Sequence, residues 1–228
     1  SLRVDIGTNG EIVVGNRDWQ LTCSCSAGPA FEGSGITCGM RAGAGAVERI
    51  SRLDDESVDF AVIGSRAPTG ICGSGLLELV YRLFCAGILG RDGKFDTDNP
   101  SPRLREIDGA PAFVLVEEGE SATGRPIVIT QADVDNLIRA KAAVYAGIKV
   151  LLNSVGMEAD QLERIFVSGG FGNYLNIKEA IGIGMLPDIP PERIHFIGNG
   201  SIRGAKFILL SRVAESEART IAEEATYF

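Results

Sequence analysis

The 228-residue chain is poor in the side chains that build most metal and redox centres. It has one histidine, His195, inside the apolar run "RIHFIGN". That excludes a histidine-rich metal site and makes the residue a half-buried strand position. Its five cysteines, at 23, 25, 38, 72 and 85, include no CxxC pair and none of the spacings of zinc or ferredoxin sites. Cys23 and Cys25 fall on one face of a predicted strand, where thiols act as small apolar groups. No basic run is long enough to track a nucleic-acid backbone, and 30 acidic against 22 basic residues give a net charge of −8, so nucleic acid is not an expected partner. No apolar stretch reaches membrane-spanning length, and the first residues lack the charged-then-apolar order of a signal peptide. The expectation is a cytoplasmic chain without membrane association. A phosphate loop of the GxxxxGK[ST] type is also absent.

What the chain has is a 45% hydrophobic composition, enough for a sizeable core, and 29 glycines gathered at corners. The stretch "DIGTNGE" joins two β-rich segments. As a turn alone, Asn9-Gly10 suits the positive φ angles of a tight hairpin. Asp5 at the strand end, with Gly7 and Thr8 beside it, suits a polyanion and its metal: backbone N–H groups and a hydroxyl for phosphate oxygens, a carboxylate for a hydrated cation.

The period of the apolar residues predicts strands at Leu2–Ile6, Glu11–Gly15 and Trp19–Ser26, joined closely enough to be antiparallel. "AGPAFEGSGITCGMRAGAGAVERI" reads as a loop with one helical turn near its end. "DFAVIGS" is a short strand, and "TGICGSGLLELVYRLFCAGILG" opens an amphipathic helix. Ser74 is its predicted N-cap, Leu76, Leu79, Val80, Leu83 and Phe84 its apolar stripe, and Gly87 or Gly90 its stop. Residues 91–111 read as a solvated insertion; Asp92, Asp96 and Asp98 lack the glycine and closing glutamate of a calcium loop. "FVLVEE" and "PIVIT" pair as a second hairpin. Thr130 and Asp133 form a capping box for a helix to about Val155, stopped by Gly156. Lys141 on that helix reads as a solvated charge.

The remainder alternates strand and helix: "RIFVSGG", a helix over Ile177–Ile181, "RIHFIGN", and a helix from Ser201 to about Glu224 burying Ala205, Ile208, Leu209 and Val213. "VSGGFGN" and "GNGSIRGA" are thus glycine corners at the carboxyl ends of parallel strands, where open α/β sheets bind ligands. The second has G-x-G-x-x-x-G spacing and no acidic ribose partner, which argues against a dinucleotide fingerprint.

The order of elements is that of an α/β, ribonuclease H-like lobe, a mixed sheet of three antiparallel then parallel strands flanked by helices, with insertions. "DIGTNGE", "VSGGFGN" and "GNGSIRGA" resemble the second phosphate, adenosine and second connecting motifs of the superfamily of acetate and sugar kinases, chaperone ATPases and actin. "CSAGPAFEG", "CGM", "GICGSGLLE", "ITQADV", "AKAAVYAGIKVLL" and "VSGGFGNYLNI" resemble the C-terminal ATPase domain of the reductive activators of corrinoid proteins, across nearly the whole chain.

The resemblance implies ATP and Mg2+, with hydrolysis driving the reduction of an inactive Co(II) corrinoid protein to Co(I). Asp5 would hold the hydrated metal or the attacking water. Gly7, Thr8, Asn9 and Gly10 would contact phosphates, Gly169, Gly170 and Phe171 the adenosine, and Gly198, Gly200 and Ser201 would lie in the connecting region. Glu32 is a further candidate for orienting water or metal, with a surface carboxylate as the equal alternative. Because only one Asp-x-Gly-Thr sequence occurs, residues 1–228 are expected to be the second lobe of a larger protein, with a subregion inserted at about 40–130. The first lobe and an iron–sulfur cluster would lie in the missing N-terminal region; a homodimer completing the site is the other arrangement. An actin-like nucleotide-binding or scaffold lobe, and a small-molecule kinase of the same superfamily, are the competing functions.

Overall fold

Strand β1 (Leu2–Ile6) buries Leu2, Val4 and Ile6 completely, while Arg3 is exposed and Asp5 half-buried. That two-residue period is what a sheet with one covered face imposes. The structure, a computed structural model, describes residues 1–54, 57–170 and 175–228. In chain order there follow β2 (Gly10–Gly15), β3 (Gln20–Cys25), β4 (Ala46–Leu53), β5 (Val58–Val62), β6 (Gly70–Ile71), α1 (Gly73–Cys85), β7 (Leu104–Ile107), β8 (Ala110–Val116) and β9 (Ile127–Thr130). Then come α2 (Gln131–Ser154), β10 (Ile165–Ser168), α3 (Ile177–Gly182), β11 (Ile194–Phe196), α4 (Gly200–Leu210), α5 (Arg212–Glu224) and β12 (Thr226–Tyr227). The chain divides into two units, one formed by Ser1–Ala27 with Ala142–Phe228 and the other by Gly28–Lys141.

The first unit is built on a six-stranded sheet in the order β11-β10-β1-β2-β3-β12. Strands β1, β2 and β3 are antiparallel neighbours, whereas β1, β10 and β11 run parallel. The covered face carries Leu2, Val4, Ile6, Ile12, Val14, Ile165 and Val167. The later half of α2 lies on it through Val144, Ile148, Leu151 and Leu152, all fully buried at helical spacing. Gly147 lets the helix backbone approach the strands, since a Cβ there would come within 2.6 Å of Ile12 Cδ1.

Three expectations in this unit are corrected. Asn9-Gly10 does not supply the positive φ angles of a tight turn: Ile6 pairs with Gly10, and neither Asn9 nor Gly10 has a positive φ. Gly10 lies against its cross-strand neighbour, and a Cβ there would come within 2.7 Å of Cys25 Sγ, which would have to turn aside. The last helix is two helices. Ser211 has extended backbone between them, and its hydroxyl accepts the Ala214 N–H at 3.3 Å to cap α5. Neither helix buries a residue: Ala205, Ile208 and Val213 are exposed, and Leu209 is 85% exposed. The apolar stripe is present in the sequence, but its period says nothing of what covers it. His195 is likewise exposed, its ring 5.7 Å from that of Phe166 on the uncovered sheet face.

The second unit holds two three-stranded sheets, β5-β4-β6 and β7-β8-β9. Strand β4 falls in the segment read as a glycine-rich loop. Its pairing with β5 shifts register between Val47 and Arg49 and again between Ile50 and Arg52, so the period-two signal is broken. The Ile50 N–H at this irregularity is taken by the buried Glu78 of α1, at 2.7 Å from Oε2. Strand β7 likewise occupies part of the segment read as a solvated insertion. The N-cap of helix α1 is Cys72, with no side-chain cap bond, rather than Ser74, which sits buried inside the first turn with its hydroxyl 3.3 Å from Cys72 Sγ. Phe84 leaves the predicted stripe and is exposed. The N-terminal end of α2 is as the sequence predicts: the Thr130 N–H donates to Asp133 Oδ2 at 2.9 Å, and the Asp133 N–H to Thr130 Oγ1 at 3.2 Å. Gly156, at φ 65°, follows its end. Among the described residues no helix is long and apolar enough to cross a membrane.

Candidate functional site

Parallel pairing of β1 with β10 sets Asp5 beside Ser168, and the pairing of β10 with β11 aligns the ends of all three strands. The hairpin after β1, the Gly169-Gly170 corner after β10 and the Gly198–Gly200 corner after β11 therefore share one edge of the sheet. That edge is where parallel strands present their ligand-binding loops.

The corners are tied to one another by backbone. The Gly169 N–H donates to the Gly198 carbonyl at 3.1 Å, and Gly169 has a φ of 107°, which L side chains rarely adopt. A Cβ on Gly169 would run into the Ile6 carbonyl oxygen and lie 2.9 Å from Asp5 Oδ1. Gly170 is different: a Cβ there meets no described residue within 4 Å. Gly200 begins α4, with Asn199 as N-cap accepting the Ile202 N–H at 2.9 Å. A Cβ on Gly200 would collide with the Arg3 guanidinium and come within 3.3 Å of Ser168 Cβ. Ser201 is exposed in the first turn.

Asp5 is partly buried, its side chain 19% exposed. Oδ2 accepts a 2.6 Å hydrogen bond from Ser168 Oγ and lies 3.9 Å from the Arg3 guanidinium. In the hairpin itself, Thr8 and Asn9 are exposed, Gly10 is buried in β2, and the Gly7 N–H is engaged by the Asn9 carbonyl at 2.9 Å. The first of the amides expected to face phosphate is thus turned into the turn itself.

Glu32 belongs to the second unit, half-buried at the end of the 3-10 turn Pro29–Glu32. Phe171 lies outside the described residues. Lys141, read as a solvated charge, is half-buried, and desolvation pulls its ammonium below the ordinary lysine range. Among the described residues no three His, Cys, Asp or Glu side chains gather as a metal cluster. Asp92 and Asp96 accept the N–H groups of Lys94 and Asp98, both at 3.1 Å, which makes them turn caps.

Two members of the cluster, Arg3 and Ser168, were not singled out from the sequence. The only local signal for Arg3 is its two-residue offset from Asp5 on the uncovered face. For Ser168 it is a hydroxyl at the end of "IFVS", where a strand could have carried another apolar residue.

A family model described as the C-terminal domain of RACo, the ASKHA domain, matches residues 1–228. The chain is 39% identical over 218 residues to the corrinoid activation enzyme RamQ of Eubacterium limosum, a match spanning 92% of this chain and 37% of that protein. It is 27% identical over 248 aligned positions to the [Co(II) methylated amine-specific corrinoid protein] reductase of Methanosarcina barkeri, spanning 99% and 42%. Among solved structures, a reductive activator for corrinoid, iron-sulfur protein superposes with a TM-score of 0.93 at 50% identity, over 100% of this chain and 36% of that one. The chain therefore spans about two fifths of the length of the relatives it matches. It belongs to the family of C-terminal ASKHA domains of RACo.

Proposed function

We propose that these residues are the second nucleotide-binding lobe, ribonuclease H-like in its sheet, of an ATP-dependent activator that drives inactive Co(II) corrinoid proteins to Co(I). The observation that carries this reading is the meeting of Asp5, Gly169, Gly198 and Gly200 at one edge of the sheet. Relatives named as a corrinoid activation enzyme and a corrinoid protein reductase supply the substrate class.

The residues present fit ATP with Mg2+. Magnesium keeps several waters and takes one or two carboxylates along with phosphate oxygens, so a single partly buried carboxylate suffices. Asp5 would hold the metal's water shell, Thr8 and Asn9 the phosphates, and the Gly169-Gly170 corner the sugar or base. Mg2+, when bound, would supply neutralisation of the phosphate charge in the transition state. The chain's own contribution is to orient: the backbone bond between Gly169 and Gly198 keeps two corners together, and Asp5 is held by Ser168. Glu32 is retained as a water- or metal-orienting candidate. In this reading the first lobe and an iron–sulfur cluster that would pass an electron to cobalt belong to the longer protein, and the corrinoid protein is its partner.

The test is ATP-dependent loss of the Co(II) signal from a corrinoid protein mixed with the full-length protein, Mg2+ and a low-potential reductant. ATP dependence is expected, and Asp5→Asn should lower both hydrolysis and reduction more than ~100-fold, the scale of removing a charged group that acts on the transition state. Cobalt reduction that ignores ATP, or Asp5→Asn hydrolysis within about twofold of the parent, would overturn the reading.

A further inference from the structure

We infer that Ser168 is a positioning residue for the Asp5 carboxylate, its hydroxyl pinning Oδ2 so that Oδ1 is presented at the glycine corner. The inference rests on the role given to Asp5 above. The two oxygens of Asp5 have different surroundings. Oδ2 receives the Ser168 hydroxyl at 2.6 Å, a length typical of a charge-assisted O–H···O bond. Oδ1 points to the Gly169 corner, where it lies 2.9 Å from the place a Cβ would take.

Ser168 can hold this geometry because it is itself immobile. It is fully buried, paired in register beside Asp5, and packed where α4 begins, its Cβ 3.3 Å from the position a Gly200 Cβ would occupy. A carboxylate fixed at one oxygen loses its freedom to rotate, so the free oxygen meets a metal-bound water without first being reoriented. Arg3 cannot do the same work. At 3.9 Å it is beyond hydrogen-bond length, and with 44% of its side chain exposed its attraction for Oδ2 is screened.

The experiment titrates Mn2+, a paramagnetic stand-in for Mg2+, into the full-length protein loaded with ADP, and measures ATP hydrolysis in parallel. Ser168→Ala should weaken Mn2+ about tenfold and lower kcat by a similar factor, while KM for ATP stays within about twofold. Ser168→Thr, which keeps the hydroxyl, should hold both quantities within about threefold of the parent. In an Asp5→Asn background, Ser168→Ala should weaken Mn2+ no further, because the group it positions is gone. Parental Mn2+ affinity and kcat in Ser168→Ala, or an equal loss with and without Asp5, would overturn the inference. If Ser168→Ala does not fold, Ser168→Cys replaces it: a weak thiol donor should fall about fivefold below Ser168→Thr, and equality would count against the hydroxyl. Parental Mn2+ affinity in Asp5→Asn alone would bring down the reading of Asp5. A protein sensitive to Asp5→Asn and indifferent to Ser168→Ala would bring down this inference alone.

Discussion

The Gly169 amide donates to the Gly198 carbonyl at 3.1 Å, so two glycine corners separated by 29 residues in sequence form one backbone unit beside Asp5. Neither glycine belongs to a repeating element; both have positive φ, 107° and 72°. The joint between the corners depends on backbone conformations that an L side chain would strain.

Substitutions at the adjacent glycines 169 and 170 should therefore behave differently. Gly169→Ala forces a methyl against the Ile6 carbonyl at a glycine-only φ, and is expected to lower stability by ~2 kcal/mol as well as weaken nucleotide binding. Gly170→Val places a side chain where no described residue lies within 4 Å of the Cβ. It should leave the melting temperature within about 2 °C while weakening nucleotide affinity at least about tenfold, because the added volume occupies the ligand's place. Calorimetry with ATP analogues, run beside thermal unfolding, checks both. Unchanged affinity in Gly170→Val would remove this corner from the nucleotide site.

In the second unit Asp133 is 1% exposed and accepts four hydrogen bonds, from the amides and hydroxyls of Thr37 and Thr130 at 2.7 to 3.1 Å. Asp133→Ala leaves those donors unmet and should destabilise the unit by about 3 kcal/mol. The specific signature is loss of hydrogen-exchange protection at Thr37. Retained protection would mean that the loop is held by other contacts.

Burial pushes the Cys23 thiol up, with its neighbour Cys25 adding to the shift. Burial likewise raises the Cys25 thiol, opposed by the Gly10 backbone and reinforced by Glu11. The folded chain then keeps its protons where the unfolded chain has lost them, so stability should fall as pH rises through the ordinary thiol range, about 8.5, and go on falling until the folded thiols ionise. In alkylation followed by peptide mass spectrometry at alkaline pH, the exposed Cys85 should react first and the buried Cys72 last, with Cys23 and Cys25 between. Labelling of Cys23 as fast as Cys85 would contradict the burial argument.

On the two-lobe reading proposed above, residues 1–228 on their own should turn over ATP at under ~1% of the full-length rate, since the groups that a first lobe would preorganise around the transition state are missing. Charge interactions at a half-open site are also weakened by water. Steady-state turnover at matched concentrations decides it. A rate equal to that of the full-length protein would show that one phosphate hairpin suffices, with a second copy of the chain completing the site as the arrangement to test by its oligomeric state.

Part of the fold was legible because its signals are local. Alternating burial marks β1 and β2, the Thr130–Asp133 pair announces the start of α2, and the glycines after "IFVS" and "HFI" mark the strand ends. Each depends on neighbours within a few positions, where period and capping chemistry operate. The remaining features depend on partners far along the chain. Ser168 meets Asp5 across 163 residues, Gly10 packs against Cys25 on the next strand, and β4 hides its period behind two register shifts. The exposed stripe of α4 and α5 shows the same limit: periodicity reveals that Leu209 and Val213 share an apolar character, whereas burial is a property of what packs against them. Sequence alone thus determined β1, the start of α2 and the glycine corners, because backbone propensity is local. Tertiary structure decided which carboxylate oxygen is pinned and which is presented, because that follows from the register of two strands that meet only when the sheet forms.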